Sequence, residues 1–354
     1  MKKRYWIPAV VLLILIVTYF LGPKPPNPDY GKELPDVPND LEQLGTYIQK
    51  REKQLPLRED NQARILWQQN EPQVTEYSVI YLHGFGGSYR DGYPVNVKIA
   101  DTLGANLYLA RWAGHGMVAG EALEEFSPGA AWESAKEALV VGEKIGKKVI
   151  IMSTSTGGTL AFKLAATYPD KVHALINLSP YIEDETDGAF LLNSPWGYEL
   201  AHLISFGDHM KVEHEKEIAA QYFDTIYPSR ALVDLQVLLG TLISEDTFRK
   251  VTSPVLTLYY YENFLEEDDH VEVEVYPEIH ALLATPDSLK KLVRLVEPKN
   301  HFLGSEIKSE NTLVVTREIV EFLRETLKLK INSDSLETRD LELNEQVDDN
   351  ESFN

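Results

Sequence analysis

The sequence contains no cysteine. Disulfide scaffolds, thiolate nucleophiles, cysteine-ligated zinc and a lipidated cysteine are therefore excluded. Positive charge is also scarce: 34 Lys and Arg stand against 55 Asp and Glu, a net charge of −21 at pH 7. A chain that acidic repels phosphate backbones, so nucleic-acid binding through a basic patch is excluded. A single long apolar run, at the N-terminus, excludes a multi-span transporter. There is no HExxH, and His202, His209 and His214 suit no common zinc spacing, so no metal is expected. No internal repeat is visible. What remains is globular composition: 44% hydrophobic and 10% aromatic over 354 residues, enough for one large α/β domain.

The amino terminus opens Met1-Lys2-Lys3-Arg4 and then runs uncharged from Tyr5 to Gly22, with an apolar heart from Ile7 to Leu21. This lies at the short end of the transmembrane range. A basic n-region and short apolar stretch also fit a cleaved signal peptide, but Thr18-Tyr19-Phe20-Leu21-Gly22-Pro23 offers no small-x-small cleavage site. The expectation is an uncleaved signal anchor over residues 1–22. The early positive charges retain the N-terminus in the cytoplasm, which places the rest on the extracytoplasmic side. Six prolines between Pro23 and Pro38 predict a semi-rigid polyproline II spacer over residues 23–40. A domain over residues 41–330 follows. Residues 331–354 carry eight acidic residues and one basic, and read as a disordered solvating tail.

Within the domain, β-rich runs recur at Ser78–His83, Asn106–Trp112, Lys147–Ser153, Ala174–Ser179, Pro254–Tyr260 and Lys290–Val296. Most are continuously apolar, as strands covered on both faces are. Amphipathic stretches separate them. The clearest helix starts at Ser127-Pro128, a capping hydroxyl followed by proline at the first helical position, and ends near Gly146. The fold class is thus α/β, with a mostly parallel central sheet flanked by helices. Residues 181–251 break the alternation with helical spacing and no good strand, which predicts an inserted lid.

The strongest chemical signal is the apolar run Val149 to Met152 leading into Ser153-Thr154-Ser155-Thr156-Gly157-Gly158, with helical residues after it. A sharp strand-to-helix turn of this kind holds a serine hydroxyl above a sheet, and small residues flank it because backbone passes close by. Ser153 stands where such turns usually carry glycine, but Gly157, two residues after Ser155, selects Ser155 as the nucleophile. Upstream, Tyr81-Leu82-His83-Gly84-Phe85-Gly86-Gly87-Ser88 follows the first buried strand, where glycines let main-chain N–H groups turn toward an oxyanion. Phe85 and Thr156 are the expected amide donors. Gly114-His115-Gly116 follows the next strand, with His115 expected to brace its loop. His83, His173 and His280 read as surface residues.

These three motifs, in this order and spacing over roughly Ala63 to Leu327, resemble the α/β-hydrolase superfamily, in particular its monoacylglycerol lipase, carboxylesterase and serine aminopeptidase-like branch. The resemblance implies an α/β-hydrolase fold with a helical lid and a triad in the order Ser, acid, His. For the acid, the family's Asp-x-Val-Val-like stretch is best matched by Asp268-Asp269-His270-Val271, which implies Asp268, with Asp269 the rival one residue away. For the base, Asn300-His301-Phe302 past the last strand implies His301.

The lid run containing Phe190, Leu191, Leu192, Pro195, Trp196, Tyr198 and Leu200 lines an acyl pocket or packs the cap on the body; Leu192 and Trp196 are the candidate substrate contacts. The expected activity is hydrolysis of carboxylic esters, acylglycerols or other apolar acyl esters, through an acyl-enzyme on Ser155 and with no cofactor. Three rivals stand beside it. One is an aminopeptidase-like enzyme whose acidic lid residues Glu183, Asp184, Glu185 and Asp187 hold an amine. The others are a thioesterase and a membrane-tethered, non-catalytic binding module.

Overall fold

A computed structural model describes residues 6–331 of the 354. The helices are α1 (Trp6–Phe20), α2 (Leu41–Glu52), α3 (Val95–Leu103), α4 (Pro128–Ile145), α5 (Thr156–Thr167), α6 (Gly197–Ile204), α7 (Ala219–Tyr222), α8 (Arg230–Leu242), α9 (Glu245–Phe248), α10 (Tyr276–Leu282) and α11 (Thr312–Glu321). The strands are β1 (Arg64–Leu66), β2 (Thr75–Leu82), β3 (Asn106–Leu109), β4 (Gly146–Thr154), β5 (Val172–Leu178), β6 (His209–Lys211), β7 (Ile226–Pro228), β8 (Val255–Asn263), β9 (Glu266–Glu267) and β10 (Lys290–Leu295).

One sheet runs in the order β1-β3-β2-β4-β5-β8-β10, with β9 added to β8. From β3 to β10 its neighbours are parallel; β1 pairs antiparallel with β3, and β9 with β8. The six apolar runs of the sequence are β2, β3, β4, β5, β8 and β10. Alternate residues of one strand supply two cores. In β2, Ile80 and Leu82 meet Trp132 and Leu139 of α4 and Leu160 of α5 on one face. Val79 and Tyr81 meet Ile99 of α3 and Val315 and Ile319 of α11 on the other. Both faces being covered, the strand shows no polar alternation. Helix α4 begins as expected: the Ser127 hydroxyl accepts the Ala130 N–H, satisfying one of the first-turn donors, with Pro128 next in line.

Parallel strands end on the same side, so the loops after β2, β4, β8 and β10 all emerge at one edge of the sheet. That edge is where side chains distant in sequence meet. The insertion between β5 and β8 covers it. It contains α6, α7 and α8, and also a short antiparallel hairpin, β6 with β7, which helical spacing alone did not predict.

Two expectations at the amino end need restating. Helix α1 is 15 residues long, about 22 Å, and its apolar side chains are largely exposed. Among the described residues, no helix is long and apolar enough to cross a membrane. Residues 1–5, and the acidic tail from 332 onward, lie outside the described residues. The proline-rich stretch forms no helix or strand, as expected, but it is not a free spacer. The Gly31 carbonyl accepts hydrogen bonds from Trp132 Nε1 and Lys136 Nζ, both 2.9 Å, and Tyr30 packs edge-on against Trp132. Three orphan backbone carbonyls, at Gly31, Lys32 and Glu33, thereby find donors on the helical layer.

Candidate active site

Ser155 is the single residue between β4 and α5, held at φ 54° and ψ −124°. A non-glycine residue there costs roughly 1–3 kcal/mol, which the packing around it must supply. The reason for the flanking glycines is visible. A Cβ on Gly157 would stand 2.0 Å from the Leu82 carbonyl oxygen, and one on Gly158 would stand 2.4 Å from Pro180 Cβ. Ser153 is buried in β4, its hydroxyl 2.7 Å from Asn177 Oδ1, so it is a strand residue bonded to the neighbouring strand.

The Phe85 loop lies beside this turn. Neither the Phe85 nor the Thr156 N–H has an acceptor within the described protein. His83 is not a surface residue as the sequence suggested. It is fully buried, stacked on Trp112 at 4.8 Å, with Nδ1 2.8 Å from the Gly84 oxygen. Burial pushes its imidazolium down to about 4, so the ring is neutral. His115 is also fully buried, beside His83, Trp112 and Phe126, and burial lowers its pKa well below the ordinary histidine value. Both histidines brace loops, the role expected of His115.

His301, just past β10, and Asp268, past β9, are brought together from 33 residues apart. His301 Nδ1 lies 2.8 Å from both Asp268 carboxylate oxygens, and neither side chain is exposed. Asp268 also accepts the backbone N–H groups of His270 at 3.0 Å and Val271 at 3.3 Å, which fix its plane. The other ring nitrogen, His301 Nε2, is buried and has no hydrogen-bond partner among the described residues. Asp269, the rival acid, is exposed and bonds His270 Nδ1 at 2.5 Å instead.

His270 is the residue that sequence reasoning missed. Its ring lies flat on that of His301, centroids 4.6 Å apart and planes within 6°. Burial opposes its protonation, but the hydrogen bond it donates to Asp269 and the charges of Asp269 and Asp268 outweigh that and raise its pKa. The signal was its place, where the implied pattern has an apolar residue. Asp268, His270 and His301 present ligand atoms within 4.8 Å of one another. Yet the lone pairs of two parallel stacked rings point along parallel planes and do not converge on one ion, so the cluster is poorly shaped for a metal.

A cavity of about 670 Å³ opens at Ser155 and Thr156. One wall is apolar or aromatic, with Phe85, Met210, Phe223, Tyr227, Leu232 and Leu235. Leu192 and Trp196, the expected substrate contacts, are not in it. Leu192 packs inside the insertion on Ala201, Val233 and Val237, and Trp196 sits at the outer end, its N–H 2.8 Å from the Pro23 oxygen and Nε1 3.1 Å from the Tyr19 oxygen. The wall comes instead from the β6–β7 hairpin and α8, whose Leu232 and Leu235 share a face at helical spacing.

A family model described as the alpha/beta hydrolase fold matches residues 77–245. Solved structures agree. One reported for the metagenome-derived lipolytic enzymes LipS and LipT superimposes with TM-score 0.60 at 17% identity, covering 77% of this chain and 99% of that one. The monoacylglycerol lipase of Paleococcus ferrophilus gives 0.52 at 16% identity, covering 75% and 98%. A soluble variant of the Saccharomyces cerevisiae monoglyceride lipase gives 0.54 at 13% identity, covering 75% and 91%. Among proteins of curated function, none matches the sequence. The chain has the α/β-hydrolase fold.

Proposed function

We propose that this protein is a serine hydrolase of carboxylic esters with apolar acyl groups. The observation that carries the reading is Ser155, strained at positive φ, with two unengaged amides beside it and a buried His301–Asp268 pair from the same edge of the sheet. In the reaction, His301 Nε2 takes the Ser155 proton as Oγ attacks the ester carbonyl. The Phe85 and Thr156 amides hold the oxyanion, and Asp268 keeps the His301 tautomer and stabilises its charged form. The alcohol leaves with the proton from His301. Water, activated by the same ring, then releases the acid. The chemistry needs no cofactor.

The aromatic and aliphatic wall of the cavity supports an apolar acyl chain, and the likeness in fold to lipolytic enzymes and a monoacylglycerol lipase points the same way. For the peptidase reading, Asp184 is the one of the four acidic lid residues that lines the cavity at Ser155. Asp184 is already engaged by Tyr181, Gln236 and the Thr186 amide. The β5–β8 insertion acts as the lid. It is exposed and apolar at Phe190, Leu203 and Phe206, and its Trp196 bonds the Tyr19 carbonyl at the end of α1. Attachment to a membrane through the N-terminal segment is part of the proposal, and the early positive charges Lys2, Lys3 and Arg4 put the catalytic body on the extracytoplasmic side.

The test is covalent labelling by a fluorophosphonate, mapped by mass spectrometry. One adduct on Ser155, lost in His301→Ala, supports the reading; no adduct, or one elsewhere, overturns it. Hydrolysis of p-nitrophenyl esters of increasing chain length then reads the acyl preference. Membrane fractionation with protease accessibility on intact cells reads the location.

A further inference from the structure

Asp91 is a buried carboxyl group to which the reaction above assigns no role. It is fully buried, in the turn that follows the oxyanion loop, and no Lys, Arg or His among the described residues pairs with it. Its Oδ2 accepts the Gly84 N–H at 2.6 Å. Its Oδ1 lies 2.5 Å from the Tyr81 hydroxyl, which is itself 2.7 Å from Thr154 Oγ1, one residue before Ser155. Three segments of the site thus meet at one carboxyl group: the end of β2, the end of β4 and the glycine loop.

Its position relative to the chemistry is defined by Gly84. At the point where a Gly84 Cβ would stand, Asp91 Oδ2 is 3.2 Å away and Ser155 Oγ 3.6 Å. A Cβ on Gly87 would likewise stand 3.0 Å from Asp91 Oδ2. The two glycines therefore leave room for the carboxyl group to approach the backbone whose next amide, at Phe85, faces the oxyanion. An ionised carboxylate there would oppose the negative charge that the oxyanion develops.

We propose that Asp91 is a positioning residue that works un-ionised, a buried carboxylic acid holding the oxyanion loop by the Gly84 amide without placing a charge beneath the oxyanion. This deepens the serine-hydrolase reading and rests on it for its catalytic consequence. Full burial with no cationic partner among the described residues favours the neutral form. In that form Gly84 N–H still donates to Oδ2, the acid proton sits on Oδ1, and Tyr81, whose hydroxyl donates to Oδ1 when the carboxylate is ionised, turns its proton to Thr154 Oγ1.

The groups facing Asp91 agree. Tyr81 on β2 is held protonated by burial and the neighbouring carboxyl. Thr154 on β4 is uncharged, and His83 is kept neutral by burial. Arg90, on the same turn, points outward to Glu306 and to the rings of Tyr93 and Tyr222. Burial, only partly offset by the Tyr81 and Gly84 hydrogen bonds, pushes the Asp91 carboxyl up to about 8.

The experiment compares wild type, Asp91→Asn and Asp91→Ala in the full chain, by two readouts. The first is kcat for a p-nitrophenyl ester between pH 6 and 10. A charge facing the oxyanion across about 4 to 6 Å, at an effective dielectric of about 20, changes the rate roughly a hundred- to a thousandfold. Wild-type kcat is expected to fall by that factor as pH rises through 8. Asp91→Ala loses kcat more than KM, and Asp91→Asn, which keeps the acceptor for Gly84 and a donor for Tyr81, recovers most of that loss and removes the alkaline fall.

The second readout is the urea midpoint. A carboxyl raised in the folded state adds stability at low pH that drains away between its unfolded value, near 4, and about 8. The midpoint of Asp91→Asn relative to wild type should therefore climb over that range and level off above it. A constant difference in midpoint, or an alkaline fall shared by wild type and Asp91→Asn, overturns the proposal. The midpoint comparison needs no activity, so it decides Asp91 even where absent labelling of Ser155 has removed the catalytic reading.

Discussion

The rings of His270 and His301 lie face to face, 4.6 Å apart and within 6° of parallel, each histidine bonded to its own aspartate: His301 to Asp268 and His270 to Asp269. Adjacent carboxylates thus serve adjacent layers of one stack, and the stack orders them. Asp268 is buried and holds the ring whose free nitrogen is enclosed, whereas Asp269 is exposed and holds the outer ring.

That order predicts unequal effects of two otherwise identical substitutions. Asp268→Asn removes the acceptor that fixes the His301 tautomer and should lower kcat by about a thousandfold or more. Asp269→Asn loosens only the outer ring and should cost less than about tenfold. Steady-state kinetics on one ester, with circular dichroism to confirm folding, checks both. Equal losses would mean that the two carboxylates share the role.

The turn at Ser155 depends on the absence of a single carbon atom at Gly157. Gly157→Ala would press a Cβ into the Leu82 carbonyl at 2.0 Å, and backbone on both sides must move. A loss of about 3 kcal/mol in stability is expected, the upper end for overpacking. Urea denaturation measures it, and fluorophosphonate labelling of Ser155 should fall with it. A variant of unchanged stability would show that β2 and α5 separate easily.

Selectivity for acyl chains should map to the hairpin and α8. Leu235→Ala and Met210→Ala enlarge the apolar wall and should shift the chain-length optimum toward longer esters. Trp196→Ala, outside the cavity, should leave the optimum where it is. A series of p-nitrophenyl esters reads the shift. A change of optimum in Trp196→Ala alone would return the substrate contact to where the sequence first suggested it.

His83 makes the fold acid-sensitive. Its folded pKa is depressed by burial to about 4, against about 6.5 in the unfolded chain. Between those values the unfolded state binds the proton and the folded state does not, so this contribution is fully present above pH 6.5 and lost as pH falls toward 4. The difference is worth about 3 kcal/mol. Urea midpoints from pH 7 to 4 should fall more steeply in wild type than in His83→Gln. Parallel curves would mean that the ring is reached by solvent.

Local pattern and chain order are enough to encode much of the frame. The doubly covered strands announce themselves as unbroken apolar runs, the α4 start by Ser127-Pro128, and the Ser155 turn by small residues that backbone proximity demands. The three-residue β1 and two-residue β9 carry too few residues to show a period, and the β6–β7 hairpin is masked by helical neighbours. The tertiary structure decided every relationship between loops. Whether Asp268 or Asp269 meets His301 depends on a shift of one residue in a turn after β9. That His270 stacks on the base, and that Leu235 rather than Trp196 lines the cavity, depends on how the insertion folds back over the sheet. Asp91 shows the same division: an acidic residue in a loop reads as solvated surface until packing removes the water and leaves a glycine amide and a tyrosine as its only partners.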